Sequence, residues 1–145
     1  MSERHLRRGT QFAAGVFLVA AGMHGMAHYQ FYVSDYLMDP RRRALIEAMQ
    51  SYVIVPRFGT TMWTLHCMFS LSFAVLLVLA GTAYWWMGKD LPAAKLRPLA
   101  TASAVLCLGA SVLMALAYPV LQTVLILLLA GLGFSWAAWG GRGET

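Results

Sequence analysis

"PLATASAVLCLGASVLMALAYPVLQTVLILLLAGLGFSWAAWGG", Pro98 to Gly141, contains no Asp, Glu, Lys or Arg. A helix needs roughly 20 apolar residues to cross the hydrocarbon core of a bilayer, so this run is long enough for two. "AYPVLQ" places Tyr118 and Pro119 at its centre. Proline there removes a backbone donor and readily ends one helix and begins another. The stretch therefore reads as two antiparallel spans.

Working outward, two more charge-free runs extend from Gly9 to Ser34 and from Phe58 to Gly88, each long enough for one span. Only 12% of the 145 residues are charged and 59% are hydrophobic, about half the charge of a soluble domain. The predicted fold is all-α: an integral membrane four-helix bundle in a single domain, residues 1–145. Its spans run approximately Thr10–Val33 (10–33), Thr60–Trp86 (60–86), Leu99–Ala117 (99–117) and Val120–Trp139 (120–139). "RHLRR" followed by an apolar stretch and "GMA" at Gly25–Ala27 also resembles a signal peptide. Hydrophobicity continues to Val33, however, which favours a retained helix.

Basic residues orient the chain. With a cytoplasmic N-terminus, Arg4, Arg7, Arg8, Lys89, Lys95, Arg97 and Arg142 are inside and Arg41, Arg42, Arg43 and Arg57 outside, seven against four. The positive-inside rule places both termini in the cytoplasm, and a bacterial inner (cytoplasmic) membrane is the expected location. Trp85, Trp86, Trp136 and Trp139 at one side and Tyr32, Tyr36, Trp63 and Tyr118 at the other agree with interfacial aromatic belts. The formal charge of +5 is explained by insertion and by anionic lipid, so nucleic acid is not an expected partner.

Between spans one and two, Asp39 can cap a helix that starts at Pro40. Leu45, Met49 and Tyr52 recur at helical spacing, with Arg42, Arg43, Glu47 and Gln50 on the polar side. The pattern predicts a short amphipathic surface helix ended by Pro56, an anchor on the membrane or a lid over the bundle. "MGKDLPAAKLRP", with Pro92 and Pro98, reads as an irregular loop, and "GGRGET" as a flexible tail. In span three Ser103, Cys107, Ser111 and Ala115 recur every four residues. Such a small-residue stripe lets membrane helices approach closely, whether the neighbour is another span, a second copy or a partner membrane protein.

The chemically unusual stretch is "GMHGMAHYQFY", Gly22 to Tyr32. His24 and His28 lie about 40° apart on one helix face, and span two supplies His66. Measured from the outer ends of the spans, His28, His24 and His66 lie at depths of roughly 8, 14 and 9 Å. Face-to-face packing would bring His66 level with His28. Imidazole is the commonest side-chain metal ligand, so the three histidines are a candidate metal site, with Met23, Met26 and Met62 as weaker soft ligands for copper. His28 and His66 are a candidate haem axial pair, Gly22 and Gly25 making room for the macrocycle. The competing reading is structural: intramembrane histidines hydrogen-bond across helix interfaces, and Ser70, Ser72 and Tyr32 are available partners. A bundle enclosing a lipophilic ligand such as a quinone is a third.

From Met49 to Leu79, "MQSY" and "MWTLHCMFSLSF" resemble the pattern of an uncharacterised family of small bacterial four-span membrane proteins. The matching residues are His24 or His28 late in span one, Met49 with Tyr52, and Met62, Trp63, Leu65 and Phe69–Phe73. Met68 stands where that pattern commonly has glycine. The resemblance implies a four-span bundle and specifies no activity.

No paired carboxylates, activated nucleophile or phosphate loop point to an enzyme. Cys67 and Cys107 both fall within spans and form no CxxC pair. The sequence therefore supports a structural or accessory membrane component first. A metal- or haem-binding redox protein built on the intramembrane histidines is the alternative.

Overall fold

The computed structural model describes residues 3–34, 39–118 and 120–139. Tyr36, Pro119, Arg142 and the tail "GGRGET" lie outside the described residues. The order is α1 (Glu3–His28), a π-helical turn (Tyr29–Val33), α2 (Pro40–Ser51), β1 (Val53–Val55), a 3₁₀ turn (Pro56–Phe58), β2 (Thr60–Thr61), α3 (Met62–Asp90), α4 (Ala93–Ala117) and α5 (Leu121–Trp139). α1 with its π turn, α3, α4 and α5 are long and apolar enough to cross a membrane. This is an all-α, four-span membrane protein with bundle-like helix packing.

Two of the helices, α1 and α4, start earlier than hydropathy alone indicates. α1 begins at Glu3, because helix formation depends on backbone bonding and not on where the apolar run starts. Arg7 illustrates how the polar end is used. It pairs with Glu3 at 2.6 Å and donates to the carbonyls of Gly88 and Lys89 at 3.0 and 2.5 Å, satisfying acceptors near the end of α3.

The expected irregular loop between spans two and three shrinks to a brief connection, and Pro98 lies inside α4. Pro92 sits at the N-cap instead. Pro92 at the N-cap interrupts nothing, because the first N–H groups of a helix lack intrahelical partners anyway, whereas Pro98, the sixth residue of α4, removes one backbone donor from the ladder.

Two compact units divide the chain. The first comprises Met1–Ala20 with Leu77–Thr145 and holds the close helix packing. Gly9 lies so near α5 that a Cβ there would fall 2.5 to 2.8 Å from Ala137 atoms, and one on Gly81 would meet Leu18 at 2.7 Å. The Tyr84 hydroxyl lies 2.6 Å from the Ser103 hydroxyl, joining α3 to α4, while the Tyr84 ring packs on Phe134 and Phe17. Ser111 donates to the Val124 carbonyl at 3.0 Å, joining α4 to α5. Ser103 and Ser111 of the small-residue stripe are thus buried against neighbours in the same chain. Cys107 is half-buried and Ala115 exposed. Large apolar side chains such as Leu106, Leu113 and Leu132 face outward, as a helix bundle surrounded by lipid requires.

The second unit is Ala21–Leu76. Asp39 caps α2 as expected, accepting from the Arg42 amide at 2.8 Å, with Pro40 at the first helical position. The helix ends at Ser51, not at Pro56. Val53, Ile54 and Val55 are β-branched, favour extended backbone, and pair antiparallel with Thr60 and Thr61. Gly59 makes the turn at φ +62°, a left-handed conformation that glycine adopts without a Cβ penalty. Thr61 then caps α3, its hydroxyl accepting from the Thr64 amide at 3.2 Å.

Candidate functional site: a histidine–serine seam

The polar residues of the second unit meet where α1 and its π turn face the first half of α3. Histidines four apart share a helix face, so α1 offers two imidazoles to one side. Ser70 on α3 receives both. Nε2 of His24 lies 3.1 Å from the Ser70 carbonyl and 3.1 Å from its hydroxyl. Nδ1 of His28 lies 3.0 Å from the same hydroxyl.

A carbonyl only accepts, so the contact of Nε2 of His24 with the Ser70 carbonyl is made by the tautomer protonated at Nε2. The Ser70 hydroxyl lies between that nitrogen and Nδ1 of His28, so His24, Ser70 and His28 form one hydrogen-bonded chain between two apolar helices. An unpaired polar group in hydrocarbon costs several kcal/mol, of order, so the chain fixes the register of α1 against α3.

Aromatic rings continue the seam. The His24 ring meets Phe73 edge-on at 5.0 Å between centroids. Tyr32 packs on His28 at 4.7 Å, on Trp63 at 5.2 Å and on His66 at 5.7 Å. The π turn, common near functional positions in helices, holds Tyr32 there. Its end is pinned by Arg42, whose Nη2 donates to the Gln30 carbonyl at 3.3 Å and also to the Phe31 carbonyl. The Arg42 guanidinium also lies over the Phe31 ring at 4.9 Å.

The three histidines are therefore brought into one region but not onto one point. Equal depth predicts His66 opposite His28, whereas His66 contacts Tyr32, one turn further along. Hydrogen bonding explains the difference: the register follows the donors and acceptors of Ser70. Among the described residues, no group of three or more His, Cys, Asp or Glu side chains is disposed to hold a metal ion. Tyr32 touches both His28 and His66.

Met23 and Met26 point elsewhere. They stand about 100° or more around the helix from both histidines and are 66% and 65% exposed. Nothing lies within 4 Å of a Cβ built on Gly22 or Gly25, so these glycines adjoin open space outside the chain's own packing. Met62, at the start of α3, is partly exposed. The fourth histidine, His5, belongs to the other unit and packs beside Trp136.

Ser70 was legible as one of several acceptors, Arg42 only as a polar-face residue. Nothing in the loop's spacing reveals that Arg42 folds back onto the carbonyls of the π turn. Comparison with protein-family models, with curated proteins and with solved structures finds no match to this chain.

Proposed function

We propose that the chain is a structural or accessory component of a bacterial cytoplasmic membrane, both termini cytoplasmic, whose polar residues organise helix packing and assembly with a partner membrane protein. The observation that carries this reading is the use of His24 and His28: each is engaged by one serine of the neighbouring helix. Imidazoles occupied by an internal partner hold helices in register, which is the bland and common role of polar groups in spans. The seven-to-four distribution of basic residues supports the orientation, and the "MWTLHCMFSLSF" pattern supports membership in the four-span family it resembles.

One observation favours the alternative of a metal- or haem-binding redox protein. Nε2 of His24 and Nδ1 of His28 converge on a common oxygen from 3.1 and 3.0 Å. Released from Ser70, the two nitrogens would be disposed toward one ion such as copper.

Elemental analysis of detergent-purified protein, expressed with ample iron and copper, separates the two. The structural reading expects neither metal above background, with Ser70→Ala and His24→Ala lowering stability. About one equivalent of metal per chain, on the scale of a single stoichiometric site, would overturn it if a His24/His28 double alanine variant accumulates normally without that metal.

A further inference from the structure

We propose that the segment 39–61 is an anionic-lipid dock: α2 and the β1–β2 hairpin lie on the bilayer and bind its anionic phospholipid headgroups. The inference is independent of what the histidine seam does.

The first observation is that the segment buries almost nothing within the chain. α2 has no buried residue and all three residues of β1 are exposed. A helix of about 12 residues is marginal in water, and so is an isolated two-stranded hairpin. Both need a surface.

The second is what they present. Leu45 and Tyr52 lie about 20° apart around the α2 axis, 60% and 63% exposed, and Phe58 at the hairpin turn is 76% exposed. Val53 and Val55 add β-branched apolar surface beside them. The segment connects the ends of two helices long and apolar enough to cross a membrane, which would hold these side chains near the level where headgroups meet acyl chains.

The third is charge. Arg41, Arg42, Arg43 and Arg57 stand against Asp39 and Glu47 in this segment. Arg42 is committed to the π turn, while Arg41, Arg43 and Arg57 are exposed. The Arg57 guanidinium lies 5.7 Å from the Phe58 ring centroid. An aromatic side chain set in the apolar boundary beside a guanidinium at phosphate level is an arrangement suited to the interface. Neutral lipid would satisfy the apolar side chains alone; three exposed arginines with no ion pair among the described residues select anionic headgroups.

The test is hydrogen–deuterium exchange of the full chain in nanodiscs of phosphatidylcholine with and without phosphatidylglycerol. Amides of residues 53–61 are expected to exchange more slowly with phosphatidylglycerol. The Arg41→Gln/Arg43→Gln/Arg57→Gln variant should lose that difference, each arginine being worth about fivefold in lipid preference. Peptides from α4 and α5 report whether the variant remains folded. Equal exchange in the two lipids overturns the proposal. So does protection seen only in discs carrying two copies, which would assign the surface to a second chain.

Discussion

The hydroxyl of Ser70 lies 3.0 Å from Nδ1 of His28 and 3.1 Å from Nε2 of His24. A single small residue on α3 thereby engages two ionisable side chains of α1. Serine suits the position because its one oxygen can accept and donate at once. Alanine has the right size but keeps only the backbone carbonyl that accepts from His24. The hydroxyl therefore adds the contact that His24 and His28 share.

Ser70→Ala should destabilise the protein by about 1 kcal/mol, near the measured range for polar contacts between membrane helices. Ser70→Thr keeps the hydroxyl and should retain most of the stability. Reversible unfolding in mixed micelles reads the difference, and equal stability of the alanine and threonine variants would remove the hydroxyl from the account.

Gly9 and Gly15 make a contrast on one helix. A Cβ at Gly9 would overlap Ala137 backbone atoms, whereas nothing lies within 4 Å of one at Gly15. Gly9→Ala should cost about 1–3 kcal/mol through overpacking. Gly15→Ala should be neutral or stabilising by several tenths, about 0.5 kcal/mol, from helix propensity. Thermal aggregation in detergent would show the two variants moving apart.

Tyr84→Phe keeps the ring against Phe17 and Phe134 but removes the partner of the buried Ser103 hydroxyl. A loss of about 0.6–1.7 kcal/mol is expected. Ser103→Ala in the same background should add little, since its partner is already gone. Additive losses in that double-mutant cycle would mean the two hydroxyls do not interact.

Arg7 and Glu3 form an exposed pair, and such pairs contribute little, about 0–1 kcal/mol. Arg7 also donates to two carbonyls at the end of α3. Arg7→Ala should therefore destabilise more than Glu3→Ala. A larger effect of the glutamate change would give the ion pair the main role.

Phe58→Ser should weaken protection of the hairpin amides in every bilayer, because the ring supplies apolar contact irrespective of headgroup charge. Exchange unchanged from the parent would place Phe58 outside the lipid contact.

Four spans, their approximate limits and the capped start of α2 follow from sequence because they depend on local quantities: apolar length, charge-free runs, and the Asp39–Pro40 pair. His24 and His28 share a face for the same reason, since helical periodicity alone sets it. What they meet is not local. Equal depth put His66 opposite His28, yet the bonding needs of two imidazoles draw Ser70 between them and leave His66 against Tyr32. The small-residue stripe of α4 told that something packs closely there. That Ser103 meets Tyr84 and Ser111 meets Val124 depended on which helices the bundle places beside it. Arg42 reads as one of three exposed arginines until the chain folds and its guanidinium reaches the open carbonyls of the π turn. The sequence by itself determined the membrane-spanning segments, because hydrophobic length is a property of consecutive residues. Only the tertiary structure decided the partners of the polar side chains, because an unpaired donor in hydrocarbon is costly enough to slide one helix along another until it is satisfied.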